Sequence, residues 1–318
     1  MTITESIKSE ARRLGFQKVG IAGAEELAGE SGRLAEWLDR GYHGTMDWME
    51  KNREKRVDPE KVLPGVKSVL VAGMNYYTDI PHSSANGAGK ISRYAWGDDY
   101  HTVLGERLRK LLDYSLALVP GSGGRTYVDT GPVMEKAWAQ RAGIGWQGKH
   151  TNIITGDLGS WIFLGVMLLD IELETDRPAT DHCGSCTLCI EACPTEAIVR
   201  PYVLDSNRCI SYLTIEHRGE IAAELGEKFD RWIYGCDICQ DVCPWNEKFS
   251  RGSGEAGFAP REHAVAPDLE TVAGMSPAEF NVQYRKSPIK RTKHAGMVRN
   301  ALVALNSQKG PAQSTPEE

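Results

Sequence analysis

The side chains best suited to redox chemistry in this 318-residue chain are its eight cysteines, all of them between Cys183 and Cys243. Cys183, Cys186, Cys189 and Cys193 form a C-x2-C-x2-C-x3-C run closed by Pro194. Cys236, Cys239 and Cys243 repeat the end of that pattern before Pro244, and Cys209 stands alone between the runs. Gaps of two residues let three thiolates converge on three corners of one iron–sulfur cube. The cysteine beyond the three-residue gap starts a new direction, and the following proline helps turn the chain away. That fourth thiolate then reaches a neighbouring cluster.

Crossing the ligands in this way gives one 4Fe–4S cluster on Cys183, Cys186, Cys189 and Cys243. The other takes Cys193, Cys209, Cys236 and Cys239, and no cysteine is left over. Structural zinc is the competing use of four thiolates. Two zinc sites, however, want separate C-x2-C pairs rather than four cysteines in one run before a proline. Two clusters in so short a span, as in bacterial two-cluster ferredoxins, imply electron transfer between them.

The rest of the chain must position and use that wire. Its hydrophobic fraction of 41% and charged fraction of 25% are ordinary for a globular protein, and the net charge of −6 does not advertise a nucleic-acid binder. The N-terminus has no basic and apolar secretory pattern, and the longest apolar stretch, Trp161 to Leu169, is about half a membrane-spanning helix. Cytoplasm, with no membrane partner, is therefore the expectation. Thiols there stay reduced, which favours metal over disulfides.

Residues 1–175 read as an α/β domain in which strands and helices alternate. Thr4 is expected to cap a helix with Ile7, Ala11 and Leu14 on one face, ending at Gly15. Val19–Ala22, Val69–Ala72, Thr126–Val128, Ile153–Thr155 and Trp161–Leu169 read as strands. Leu34, Trp37 and Leu38 mark a second helix, and Leu104, Leu108, Leu111 and Leu112 a third. Residues 176–250 form the ferredoxin-like module. Residues 251–318 read as a short, partly helical segment with a helix near Met297–Leu305 and a polar, disordered tail.

Several stretches together resemble the epoxyqueuosine reductases. They are Glu54-Lys55-Arg56-Val57-Asp58-Pro59, Arg93-Tyr94-Ala95-Trp96-Gly97-Asp98-Asp99-Tyr100-His101 and Val128-Asp129-Thr130-Gly131-Pro132. Ala139–Trp146, Asn207–Leu213 and the double cysteine run complete the match, which spans about residues 5–305. The resemblance implies an N-terminal cobalamin-binding domain beside two 4Fe–4S clusters. The reaction implied is reduction of the epoxide of epoxyqueuosine, at the wobble position of tRNA, to the cyclopentene of queuosine. The family is related to the reductive dehalogenases. Many members carry HEAT-like helical repeats at the C-terminus, of which this sequence holds at most the first helix.

Removing an epoxide oxygen as water takes two electrons and two protons. Clusters pass single electrons, so a two-electron cofactor such as cobalamin must stand between them and the substrate. Asp129 matches the family's proton donor, and donation near neutral pH calls for a pKa raised by burial. From the residues alone, Asp129 could equally cap the following helix. By the same resemblance Arg56, Ser92, Asp129, Ile153, Leu164 and Ser211 are expected around cobalamin, with His101 and Lys149 as further polar candidates. Gly143 to Gly148 has the form G-x-G-x-x-G but follows a helix instead of a strand, so a dinucleotide site is discounted.

No acidic residue falls between Phe280 and Pro316, where Arg285, Lys286, Lys290, Arg291, Lys293 and Arg299 are found. Such a segment suits phosphate contacts, with Tyr284 as a surface on which an unpaired base could stack. The expected partners are thus tRNA, through an anticodon stem-loop bearing epoxyqueuosine, and an external electron donor; the chain itself is expected to be a monomer. A small-molecule reductase of dehalogenase type and a plain two-cluster electron carrier are the alternatives.

Overall fold

Thr2, rather than Thr4, starts the first helix. Its hydroxyl accepts the Glu5 N–H while the Glu5 carboxylate takes the Thr2 N–H, a reciprocal cap. Thr4 is buried one residue inside the helix, and its hydroxyl accepts the N–H of Glu174. The computed structural model describes residues 2–308; the polar tail expected to be disordered lies, beyond Gln308, outside them. The chain runs through α1 (Ile3–Arg13), β1 (Lys18–Gly23), α2 (Ala28–Asp39), α3 (Arg53–Val57), β2 (Ser68–Asn75) and β3 (Lys90–Ile91). It continues with α4 (Tyr100–Leu118), β4 (Gly124–Tyr127), α5 (Glu135–Arg141), β5 (Trp146–Gln147), β6 (Ile153–Ile154) and β7 (Ile162–Leu169).

Four of these strands form one sheet in the order β1-β2-β7-β4, and every neighbouring pair is antiparallel. The alternation of strands and helices therefore yields a mixed α/β layer structure without parallel crossovers. All eight residues of β2 and all eight of β7 are buried, because helices cover both faces. Leu70, Ala72, Met74, Phe163, Met167 and Leu169 face α1 and α4, which contribute Ile7, Ala11, Leu104, Leu108 and Leu111. The alternate residues Val69, Val71, Leu164, Val166 and Leu168 face Leu34, Val57, Trp138 and Ala139 of α2, α3 and α5. The period of two inside a continuously apolar run is what a sheet with two covered faces requires.

The cysteine-bearing segment adds α6 (Leu188–Glu191), β8 (Ile198–Arg200), β9 (Val203–Leu204), α7 (Ile210–Ile215) and β10 (Trp232–Tyr234), then short helices at Ile238–Asp241 and Pro244–Phe249. It is stitched into the N-terminal part. β10 pairs in parallel with β3, and one core gathers Ile91 and Trp96, Ile233 and Tyr234, and Leu269, Phe280, Met297 and Ala301 of the C-terminal segment. The last helix, Lys293–Gln308, closes that core. No helix among the described residues is long and apolar enough to cross a membrane.

A buried polar knot fixes the second cysteine run to the sheet domain. Asp237, fully buried between Cys236 and Cys239, accepts the Ser92 hydroxyl, the Arg93 N–H at 2.9 Å, Arg93 Nη1 at 3.2 Å and a bond to His82 Nε2 at 3.0 Å. Arg93, itself buried, also reaches Asp241 at 2.8 Å. Deleting the carboxylate would take from Arg93 the more deeply buried of its two carboxylates and leave the Ser92 hydroxyl and the Arg93 N–H without their partner in the interior. Asp237→Ala is therefore expected to lower stability by about 3–5 kcal/mol in urea unfolding. A loss below about 1 kcal/mol, the scale of a surface pair, would show that the knot does not hold the domains together.

Candidate active site

The eight thiols, none in a disulfide, assemble into two groups. Cys189 is pushed up to about 11 by burial, then by Cys183, Cys243 and Cys186 beside it. Cys239 is pushed far up by burial, with Cys209 and Cys193 as its next neighbours and Cys189 behind them. Cys236 is raised in the same way by burial, then by Cys239, with Cys209 also close. Cys183, Cys186 and Cys243 thus neighbour Cys189, while Cys193 and Cys209 neighbour Cys239. Among the described residues no three His, Cys, Asp or Glu side chains stand close enough to hold one metal ion. Thiols raised by burial become thiolates only against a compensating cation, so loading iron here releases protons.

Local geometry explains how the loops reach these positions. Lys149, buried on the loop between β5 and β6, donates to the carbonyls of Gly184 at 2.7 Å and Cys186 at 2.8 Å and so holds the first run. Gly235, with φ of +67°, turns β10 into Cys236; a Cβ there would lie 2.6 Å from the Ser92 Cβ. Cys209 sits at the start of α7, and Cys243 precedes Pro244 at the first position of its helix.

Asp129 lies just past β4, with a left-handed φ of +56° that a non-glycine residue adopts at a cost. It does not cap α5, whose first turn is preceded by Met134 without any side-chain bond. Instead its Oδ2 accepts the Tyr100 hydroxyl at 2.6 Å and lies 3.7 Å from His101 Nε2, while its N–H donates to Glu135 Oε1 at 2.6 Å. Asp99 caps α4 and holds His101 Nδ1 at 2.7 Å. Tyr100 is in turn stacked between His101 and Phe163, with centroids at 4.0 and 4.3 Å. Asp129 keeps 63% of its side-chain surface open to solvent, yet surrounding protein penalises its charge. Asp129 is thus a carboxylate that solvent and substrate can reach, with protein packed around it on several sides.

The electrostatics correct the expectation of a raised aspartic acid. Burial alone would raise Asp129, but the hydrogen bonds of His101 and Tyr100 outweigh it, and its carboxyl sits below the usual value. The proton is kept next door. Burial works against the His101 charge, yet Asp129 and Asp99 lift it to about 9. Burial also carries Glu135 up to about 8, helped by the neighbouring Asp129 charge. Because the folded His101 value lies above the unfolded one near 6.5, its contribution to stability is complete below about pH 6.5 and lost as pH rises through about 9. Wild type is thus expected to lose more stability than His101→Gln between about pH 6.5 and 9, measured by urea unfolding across that range. Parallel pH curves would remove the imidazolium from this site.

The remaining candidates divide. Arg56 on α3 donates to the Trp48 carbonyl at 2.8 Å, and its Nε is buried without a partner. Ser92 spends its hydroxyl on Asp237, which leaves its backbone for any ligand. Ile153 and Leu164 are buried in the core beneath α5, and Ser211 is half-buried on α7 two residues beyond Cys209. Lys149 belongs to the first cysteine run and His101 to Asp129. Tyr284 is fully buried and offers no stacking surface, and Arg299 is tied to the carbonyls of Leu213, His217 and Gly219.

Three groups were missed in the sequence: Glu135, Lys136 and His150. Lys136 is exposed and its Nζ donates to Asn152 Oδ1 at 2.8 Å; desolvation by the surrounding protein lowers its pKa against the opposing pull of Asp129, Cys239, Glu135 and Cys209. Burial and then the Lys136 charge lower His150 to about 4; its Nε2 is also buried without a partner. Lys136 thus feels the charge of Asp129 together with that of Cys209 and Cys239. In the group of Cys183, Cys186, Cys189 and Cys243, Cys186 is exposed and Cys189 and Cys243 are buried. Two further cavities flank this region. One of 190 Å³ lies behind the Asp129 loop, lined by His101, Val128 and Thr130, and one of 400 Å³ lies between Trp161 and Asn246 without touching the Asp129 cluster.

Comparison with known proteins gives these features a family. Residues 56–130 match the family model for epoxyqueuosine reductase QueG, and residues 182–246 match the 4Fe-4S double cluster binding domain. An epoxyqueuosine reductase of Synechocystis sp. is 47% identical over 90% of this chain and 100% of its own length. That of Cellulophaga algicola is 44% identical over 93% of this chain and 96% of its own. A crystal structure of an epoxyqueuosine reductase with an epoxyqueuosine-modified tRNA-Tyr stem loop superposes with a TM-score of 0.90, at 34% identity, covering 96% of this chain and 81% of that one. The Bacillus subtilis enzyme, solved with its catalytic aspartate loop swung out of the active site, superposes with a TM-score of 0.89 at 32% identity over the same shares. Likeness of this extent, in sequence and in backbone alike, places the chain in the epoxyqueuosine reductase family.

Proposed function

We propose that this protein reduces the epoxide of epoxyqueuosine in tRNA to the alkene of queuosine, with water as the by-product and two electrons and two protons consumed. The observation that carries the reading is the proton-holding group at Asp129, where Oδ2 accepts the Tyr100 hydroxyl at 2.6 Å and lies 3.7 Å from His101 Nε2. That group stands in a chain whose eight free thiols match a 4Fe-4S double cluster binding domain, so one molecule holds both an electron path and a store of protons. The two 4Fe–4S clusters are held by Cys183, Cys186, Cys189 and Cys243, and by Cys193, Cys209, Cys236 and Cys239. The first, nearer the surface, takes electrons from an external donor, and the second faces the substrate.

The residues of the cleft fit cobalamin. Arg56 and His150 carry buried donors without partners, the kind of atom a ligand amide or phosphate would satisfy. Arg56 and the backbone of Ser92, Ile153 and Ser211 would hold the cofactor, with Leu164 packing behind. Cobalamin supplies a two-electron centre between one-electron clusters and the epoxide. The chain's own part is the proton. Asp129 presents a carboxyl to the leaving oxygen, Tyr100 fixes its orientation, and imidazolium His101 reloads it from 3.7 Å once the pair closes. Anaerobic protein with iron and cobalamin loaded, given epoxyqueuosine tRNA and a strong one-electron reductant, should yield a nucleoside lighter by one oxygen in mass spectrometry. Unchanged nucleoside with all cofactors verified as bound would refute this substrate.

A further inference from the structure

One exposed aromatic side chain is used by neither the cofactor site nor the proton site. Trp48, on a short 3-10 helix at Asp47–Met49, leaves 40% of its surface to solvent. The Arg291 guanidinium lies over its ring at 5.2 Å and is itself held in a two-pronged pair with Glu216 at 2.8 Å per bond. Below Trp48, its carbonyl accepts Arg56, one of the residues expected at the cofactor. Beside Arg291, the Lys286 carbonyl accepts the N–H of Asp99, which holds His101 against Asp129. The ring and the segment Arg285–Lys293 are thus tied by hydrogen bonds to Arg56 on one side and to Asp99, which holds His101, on the other. Arg285, Lys286, Lys290, Arg291 and Lys293 are all exposed, and among the described residues only Arg291 of the five is paired with a carboxylate.

A flat aromatic face with a guanidinium across it, at the edge of unpaired positive charge, suits one ligand chemistry: an unpaired nucleobase on a polyanionic strand. We propose that Trp48 and Arg291 form a stacking clamp for an unpaired base of the RNA substrate, with Arg285, Lys286, Lys290 and Lys293 taking the flanking phosphates. The proposal rests on the reading of RNA as the substrate. It gives the stacking role sought in the sequence at the buried Tyr284 to a residue from a distant segment. Bases stack without regard to identity, so the clamp orders the loop and leaves recognition of the modified base to the cleft.

The test is fluorescence anisotropy of labelled anticodon stem-loop RNA, and of a fully paired duplex of equal length, on the cofactor-loaded protein. Trp48→Ala should weaken stem-loop binding about tenfold, the scale of one lost base stack, and leave duplex binding unchanged. Trp48→Phe, which keeps a π-face, should recover most of the loss. Lys286→Ala and Lys290→Ala should weaken both RNAs and each flatten the salt dependence by about 0.7–0.9 in log–log slope. Wild-type affinity in Trp48→Ala, or equal loss on stem-loop and duplex, would overturn the clamp while leaving RNA as the substrate. Failure of wild-type protein to bind the stem-loop at all would instead overturn the substrate reading and the clamp with it.

Discussion

Asp129→Asn is expected to lower conversion of epoxyqueuosine RNA by about 10²- to 10⁴-fold, the usual weight of a positioned proton donor. Iron content and cobalamin uptake should stay at wild-type level. Asparagine keeps the shape of the side chain and an oxygen to accept the Tyr100 hydroxyl, but cannot carry a proton to the substrate. The change also removes the anion that helps hold His101 at about 9, so the imidazole should titrate lower in the variant. The two readouts separate two roles. A lost rate together with a lowered His101 value is the signature of a carboxylate that both delivers the proton and stores it on its neighbour. A near-normal rate in single-turnover mass spectrometry would move donation to His101 or Tyr100. Because Asp129 is ionised before substrate enters, the proton must come from His101 or be taken up as the cleft is filled and dried. The rate should therefore fall as pH rises through about 9, where His101 loses its charge.

The cysteine chemistry was legible in the sequence because spacing alone dictates where thiolates can converge. The runs before Pro194 and Pro244 needed no tertiary information, and Cys209 followed by elimination. The β2 and β7 strands were legible too, since continuous apolar β-branched runs have few other uses. Their antiparallel pairing was not. Alternating helices and strands fit several sheet orders, and only the packing of α1 and α4 against one face and α5 against the other selects this one. The proton site was half legible. Asp129 came with its motif, but its depressed pKa depends on Tyr100 and His101 arriving from the first turn of α4, which sequence cannot orient. Glu135 and Lys136 read as an ordinary charged helix start; what shifts them is the protein that distant segments pack around that start. Tyr284 failed for the same reason in reverse: an aromatic in a basic segment looks like a surface until a core closes over it.

Cys209→Ala should lose one cluster and keep the other, taking iron from about eight to about four per chain and abolishing turnover. Cys209 is the isolated ligand, set at the start of α7 against Cys193, and the other thiols of its group, Cys236 and Cys239, lie near it. The group built on Cys183, Cys186, Cys189 and Cys243 gathers around a different loop, held by Lys149, and does not depend on α7. Pairs of substitutions test the crossing directly. Cys193 belongs to the first run in sequence but to the second group in space. If the ligands cross, Cys193→Ala with Cys209→Ala removes no more iron than either alone, because both strike one cluster; such non-additivity is the mark of residues acting as a unit. Cys189→Ala with Cys209→Ala should instead remove nearly all of it. An uncrossed arrangement, with each run serving its own cluster, demands the opposite result from the Cys193–Cys209 pair, which would then strip both clusters. Iron analysis alongside the electron paramagnetic resonance of the reduced protein distinguishes the two, since a surviving cluster in the Cys193–Cys209 variant should retain its own unaltered signal.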